Sequence, residues 1–348
     1  MAYHSDCAAT SRVDMEARMR FGVVGNRHPH IFSLIREAQA HPGVELVAVA
    51  EDHPPSLQKL REAVPGNAYA DYREMLERER LEAVLLAPVN SKKAAAIVDL
   101  LERGIHALAD KPLLTTAEDL ARVEAAHRRS GAALYLALTM RFDPYYIAAR
   151  RAVASGAIGK IVNCFVQGPH KLRPQTRDPW MLNDEENGGV TIDLGCHDVD
   201  LIRWFTGAEL AEITAYESNM KFPQLKGFTD NCATIMRMTD GSTALIRIDW
   251  MTPGAASYHM DFRLMMTGAE GMMEVRHGPE NLVQYASDAS DTAVVGPVDP
   301  PHGLIQDFLY ACAGRSDTLL TARDAIEATR ITLLARQSAR EGRTDSVS

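Results

Sequence analysis

Cysteine is scarce. Cys7, Cys164, Cys196, Cys232 and Cys312 are scattered through 348 residues, with no CxxC pair and no metal-ligand spacing. That pattern offers no disulfide framework and suits a reducing, cytoplasmic compartment. Long apolar runs are missing as well: none reaches transmembrane length, and the amino terminus lacks the apolar core of a signal peptide. Basic charge is also short. A net charge of −9 leaves no electrostatic footprint for nucleic acid or an anionic membrane. Repeats and low-complexity tracts are absent too. What is present is an apolar content of 46% and a charged content of 24%, the balance of a soluble globular chain. At 348 residues it is too long for one ordinary core and fits about two domains. Residues 1–18 are small, polar and unpatterned, and are expected to form a loose tail.

The first half alternates. Short apolar runs at Arg20–Val24, Glu45–Ala50, Glu82–Ala87, His106–Ala109 and Ala133–Leu138 read as strands. Between them lie helical patterns at Ile31–Ala40, Ser56–Ala63, Tyr72–Arg78, Ser91–Arg103 and Ala117–Arg129. Strands alternating with helices predict an α/β fold with a doubly wound parallel sheet, here over residues 19–140. Ligands of such sheets sit beyond the carboxyl ends of the strands, so those ends are where chemistry is sought.

The first strand runs into Gly25-Asn26-Arg27-His28-Pro29-His30 and then a helix. This is a dinucleotide-binding turn with part of its glycine fingerprint. Gly25 fits the first position, Arg27 stands at the second and His30 at the third. An arginine there can offer a pyrophosphate charge-assisted hydrogen bonds. The His28-Pro29-His30 cluster has no carboxylate or cysteine beside it in the chain, so it reads as a helix-entry turn and no metal is expected. Glu51 follows the second strand at the spacing of the acid that binds a ribose 2′-hydroxyl, which favours NAD over NADP. Arg27 keeps NADP possible. Ala87, Pro88 and Asn90 end another strand at the same edge and are placed toward the nicotinamide. Asp110-Lys111-Pro112 ends the next, leaving Lys111 either a solvated charge or an active-site cation.

After Leu138 the period changes. Asp143–Ala154 reads as a helix and Ile161–Gln167 as a strand. Asp240-Gly241 joins Cys232–Met238 to Thr243–Trp250 in a hairpin, and a Gly268–Gly271 turn joins Phe262–Thr267 to Met272–Arg276. Residues 141–348 are therefore expected to form an α+β domain with a largely antiparallel sheet, one face of it open. The last helix, with Ala325, Ala328, Ile331, Leu334 and Ala335 on one stripe, is expected to pack back on a sheet, against the first domain or its own. The loop carrying His170, Arg177 and Trp180 reads either as a grip on a sugar or its carboxylate or as a solvated surface loop.

Between these strands lies the stretch Gly188–Asp200. Its paired glycines break the chain, and Thr191–Thr206 reads as one helix. Ile192, Cys196, Val199 and Ile202 form an apolar stripe, with Leu194, Leu201 and Phe205 a second. Asp193, His197, Asp200 and Trp204 then stack on one face. A polar stripe in a mostly apolar helix is either a solvated face or a set of groups serving a cavity.

Taken with Lys111, these motifs resemble the glucose–fructose oxidoreductase and inositol dehydrogenase family (Gfo/Idh/MocA). Asp110-Lys111-Pro112 is similar to its Glu-Lys-Pro signature, with Asp for Glu. Gly188-Gly189 through Asp193, Gly195, His197 and Asp200 is similar to its Gly-Gly-Gly…Asp-x-Gly-x-His-x-x-Asp signature, one glycine short. Met140–Pro144, with Arg141, and Gly156–Lys160 match in order, as do Trp204 and Gly207, so the resemblance spans about Met19 to Arg343. It implies a Rossmann domain for NAD(P) and a second domain whose open sheet face makes a homodimer or homotetramer. It also implies catalysis by Lys111, Asp193 and His197 on a secondary hydroxyl of a sugar or cyclic polyol. His197 is the expected base, having an ordinary pKa near working pH. Redox-neutral, NAD-retaining cleavage of glycosides and non-catalytic sensing of cofactor and sugar are the alternatives.

Overall fold

The computed structural model describes residues 18–346, so the expected tail lies, Arg18 apart, outside the described residues. The first sheet contains β1 (Met19–Val24), β2 (Val44–Ala50), β3 (Asn67–Tyr69), β4 (Ala83–Leu86), β5 (His106–Ala109) and β6 (Leu134–Leu136). Its order is β3-β2-β1-β4-β5-β6. All neighbours are parallel. Helices α1 (Ile31–Ala40), α2 (Pro54–Ala63), α3 (Tyr72–Arg78), α4 (Lys93–Glu102) and α5 (Ala117–Ser130) make the crossovers. Strands β4 and β5 are wholly or almost wholly buried, as a sheet covered on both faces requires. The strand order reverses between β1 and β4, and the crevice that this opens lies at the carboxyl edge. One strand of this sheet escaped the sequence reading: β3 has three residues and no apolar run.

The second sheet is built from β7 (Ile161–Pro169), β8 (Leu210–Ser218), β9 (Asn231–Met238), β10 (Thr243–Asp249), β11 (Phe262–Gly268), β12 (Gly271–His277), β13 (Leu282–Ser287), β14 (Ser290–Val294) and β15 (Asp345–Ser346). Both expected hairpins are present. The sheet is mixed, because β7 pairs antiparallel with β11 but parallel with β10. Helix α6 (Pro144–Ala154) leads into it, started by Pro144 and capped by the Asp143 carboxylate, which accepts from the amides of Tyr145 and Tyr146.

The inner face of this sheet is covered by α8 (Gly189–Asp193), α9 (Gly195–Thr206) and α11 (Ala322–Glu341), after a short α7 (Asp184–Asn187). Burial alternates along β9 and along β10 as far as Ile248, with Cys232, Met236, Ala244 and Ile246 inside and Ile235 and Leu245 outside. Helix α10 (Leu304–Cys312) lies against α1. Helix α11 starts at a capping box of Thr321 and Asp324 and contacts β8, α5 and β6, so it ties the second sheet to the first domain. No helix of the described residues is long and apolar enough to cross a membrane.

Candidate active site

Two cavities open at the carboxyl edge of the first sheet. One, of about 310 Å³, is bordered by Gly25, Arg27, Glu51, Asp52, Pro88 and Lys92. Gly25 has φ +79°, and a Cβ there would fall 2.4 Å from the Pro88 nitrogen, so only glycine lets the turn cross β4 this closely. The Arg27 amide continues that contact by donating to the Ala87 carbonyl at 2.9 Å. Glu51 is buried, and its two carboxylate oxygens accept from the amides of Asn26 and His53. Burial pushes its pKa up, opposed by those amides and by the Arg27 charge. Two buried polar atoms, Asn26 Oδ1 and Arg27 Nε, have no hydrogen-bond partner among the described residues. A glycine cradle, an acid at the ribose position and unspent polar atoms fit an adenine dinucleotide. The Asn90 side-chain amide donates at 2.9 Å to the Asn187 carbonyl across the domain boundary.

The second cavity, about 550 Å³, lies between the two domains. Lys111 enters it from the end of β5 and Asp193 from the end of α8. Lys111 Nζ donates to Asp193 Oδ1 at 2.6 Å and to the Asp193 carbonyl at 3.0 Å. Burial works against both charges, but each group outweighs it for the other. The Lys111 pKa ends raised, and the Asp193 carboxyl ends well below the usual carboxylate range. Beside them stands His197, whose Nδ1 is buried with no hydrogen-bond partner among the described residues. Burial, reinforced by the Lys111 charge, lowers its pKa to about 3. The expectation of an ordinary histidine pKa is thereby corrected: the ring is neutral at physiological pH because a second charge cannot be solvated there.

The predicted helix over Thr191–Thr206 is interrupted. Helix α8 ends at Asp193 and α9 starts at Gly195, and the Asp193 carbonyl at that junction accepts from Lys111. The polar stripe divides with it. Asp193 and His197 face the cavity, whereas Asp200 and Trp204 line a structural network behind it. Arg141, expected at the substrate, belongs to that network. It is 4% exposed and donates to Asp200 Oδ2 at 2.9 Å and Oδ1 at 2.6 Å, and also to Asp324. Four of its five N–H groups are taken, the fourth by the Leu319 carbonyl, and it borders neither cavity. Trp180 also lies away, packed with Val89 and Met181. His170 and Arg177 do line the cavity, and the Arg177 guanidinium sits 4.3 Å above the Trp250 ring.

Two groups carry no signal in the chain, and a third reads there only as part of the Asp110-Lys111-Pro112 motif. Asp198 lines the cavity 2% exposed, and burial pushes its carboxyl pKa up. Lys93, fully buried, donates to the Asp110 and Pro112 carbonyls at 2.7 and 2.6 Å and so fixes the backbone on both sides of Lys111. The third is the Asp110 carboxylate, which meets both His28 and His30. The acid judged absent from that turn is supplied by a strand two places across the sheet.

Residues 19–138 match the model of the oxidoreductase family with an NAD-binding Rossmann fold, and residues 146–274 match the GFO/IDH/MocA C-terminal domain. The chain belongs to this family. It is 27% identical over 320 residues to the rhizopine catabolism protein MocA of Rhizobium meliloti, covering 90% of this chain and 93% of that one. It is 24% identical to the myo-inositol 2-dehydrogenase of Thermotoga maritima, covering 78% and 80% respectively. The solved structure of myo-inositol 2-dehydrogenase from Lactobacillus plantarum shares its fold, with a TM-score of 0.78 at 22% identity over 95% of this chain and 100% of that one. The protein is an NAD-binding oxidoreductase, and the cavity bordered by Gly25 and Glu51 lies where a Rossmann fold receives the dinucleotide.

Proposed function

We propose that the protein oxidises a secondary hydroxyl of a sugar, sugar derivative or cyclic polyol, with residues 19–140 holding the cofactor and residues 141–348 the substrate. The observation that carries this reading is the buried Lys111–Asp193 pair, drawn from two domains, facing a cavity beside a neutral imidazole. Bound nicotinamide supplies the hydride acceptor. Lys111 spends two of its three donors on Asp193, which leaves one for the substrate oxygen. That hydrogen bond acidifies the hydroxyl and stabilises negative charge as it develops in a water-poor site. His197 presents a free lone pair to take the proton. A base this weak succeeds only on a hydroxyl that Lys111 has already made more acidic, so the two act as a unit. Asp193 holds Lys111 charged and aimed, while His170 and Arg177 border the space for the remaining hydroxyls.

The test is a screen of NAD⁺ and NADP⁺ reduction over inositols, aldoses, uronates and glycosides. NADH accumulating with one of the first three is the expected result, with His197→Ala slowing single-turnover hydride transfer by about two to four orders of magnitude. Glycoside cleavage without NADH release would replace this reading with the redox-neutral one. His197→Ala and Lys111→Met both at near wild-type rates would place the chemistry elsewhere.

A homo-oligomer completes the proposal. Tyr216, Ile235, Leu245, Met265 and Met272 are exposed on the open face of the second sheet, an apolar patch that a second copy would cover. The free cysteines Cys164, Cys196, Cys232 and Cys312 fit a cytoplasmic setting.

A further inference from the structure

The dinucleotide turn has an imidazole where its third glycine belongs and another two residues before it, and both rings face one carboxylate. His28 Nδ1 stands 3.1 Å from Asp110 Oδ2, and His30 Nδ1 stands 3.5 Å from Asp110 Oδ1. The two rings are 4.1 Å apart, and donor atoms of all three residues lie within 4.8 Å of one another. Asp110 is 2% exposed. Close as they are, His28 Nδ1 and Asp110 Oδ2 do not have hydrogen-bond geometry, and each is buried without a partner among the described residues. Buried polar atoms left unspent at this distance need a reason.

A shared ion is such a reason. Ligand atoms about 2.0–2.1 Å from one tetrahedral zinc ion lie roughly 3.4 Å from each other, and the 3.1 and 3.5 Å separations here, each to a different oxygen of the Asp110 carboxylate, fall near that value. We propose that His28, His30 and Asp110 form a binding site for one divalent transition-metal ion of the zinc class. Two imidazoles and a carboxylate suit zinc, cobalt or iron rather than magnesium or calcium, which prefer all-oxygen shells. Three protein ligands leave a coordination position open, as catalytic rather than structural sites do. His28, His30 and Lys111 all line the cavity that also holds His197, so the open position faces the space assigned to substrate. Its natural occupant there is an oxygen ligand, a hydroxyl or carboxylate. The scaffold around the site is rigid: the Lys111 amide donates to Asp110 Oδ1 at 2.8 Å, and Lys93 holds the Asp110 carbonyl.

The site does not rest on the dehydrogenase reading, because metal binding is measured without cofactor or substrate. Untagged full-length protein, stripped with a chelator and dialysed, is titrated with Zn²⁺ by calorimetry and with Co²⁺ by visible absorption. One equivalent is expected, with Co²⁺ giving the intense bands of a low-symmetry site. His28→Ala and His30→Ala should each weaken binding more than the about 10–100-fold that changes outside the ligand shell cost. His259→Ala removes another histidine of the same cavity and should leave affinity unchanged. Asp110→Asn is judged only if its circular dichroism matches wild type, since that side chain also anchors the Lys111 amide. Absence of a stoichiometric site would overturn the proposal, as would an affinity that His259→Ala lowers as much as His28→Ala does. In either case the three residues form only a close electrostatic cluster without an ion.

Discussion

Replacing Lys111 by methionine keeps the stem of the side chain and deletes its charge. Asp193, 2% exposed, then faces a low-dielectric cavity with no counter-charge at contact distance. Breaking a buried pair from one side costs about 3–5 kcal/mol, because the survivor keeps its desolvation penalty. For a chain of this size that is a fall in Tm of roughly 4–7 °C at pH 8. The pH dependence follows from the shift directions. In wild type the Asp193 pKa is depressed, so its share of stability is present above the ordinary carboxyl value of about 3.9 and is lost only as pH falls through its lower folded value. The raised Lys111 pKa contributes below about 10.4 and is lost as pH rises through its higher folded value. Between about pH 5 and 9 the pair is therefore flat in wild type. In Lys111→Met, burial pushes the Asp193 pKa up against only the weaker pull of His28 and Arg177, so the carboxyl takes up a proton more readily and the gap to wild type narrows toward pH 5. The double variant Lys111→Met/Asp193→Asn carries no buried charge and should recover most of the lost stability at pH 8 while remaining inactive. Urea denaturation of the three proteins at pH 5 and pH 8 measures this directly. A single variant within about 2 °C of wild type at pH 8, or a double variant no more stable than the single, would refute the account.

Glu51→Ala should lower the NAD⁺ over NADP⁺ preference in kcat/KM by at least about tenfold, since one charge-assisted hydrogen bond and one repulsion are removed together. A wild type that already prefers NADP⁺, unaltered by the substitution, would remove Glu51 from cofactor choice. Because burial holds His197 neutral down to about pH 3, the pH profile of kcat/KM should show no acid limb near 6.5. An inflection there that disappears in His197→Ala would mean that the ring ionises normally. Leu245→Glu, placed in the outward row of β10, should shift sedimentation equilibrium toward monomer, and a wild type that is monomeric at micromolar concentration would exclude the interface.

The parts of this molecule that could be read in the chain are those whose signal is local. Strands β1, β2, β4 and β5 are apolar runs with abrupt ends, and the Asp240-Gly241 and Gly268–Gly271 turns announce their hairpins within a few residues. Strand β3, the two-residue β15 and the edge pair β13–β14 were missed because their residues alternate weakly or not at all and form strands only by adding to an existing edge. The same divide runs through the site. Lys111 and the Asp193–His197 pair were legible, one from a proline-stopped strand and the other from helical spacing. Arg141 sits among matching motif residues, yet its role depends on Asp200 and Asp324 arriving from two other helices, and two carboxylates meeting one guanidinium make an internal ion network. Asp110 poses the converse problem. Read along the chain, the His28-Pro29-His30 turn has no acid. Read across the sheet, β1, β4 and β5 lie side by side with their ends aligned, so the turn after β1 and the residue after β5 must meet. The order β3-β2-β1-β4-β5-β6 thus converts two unremarkable segments into a cluster of two imidazoles and a buried carboxylate.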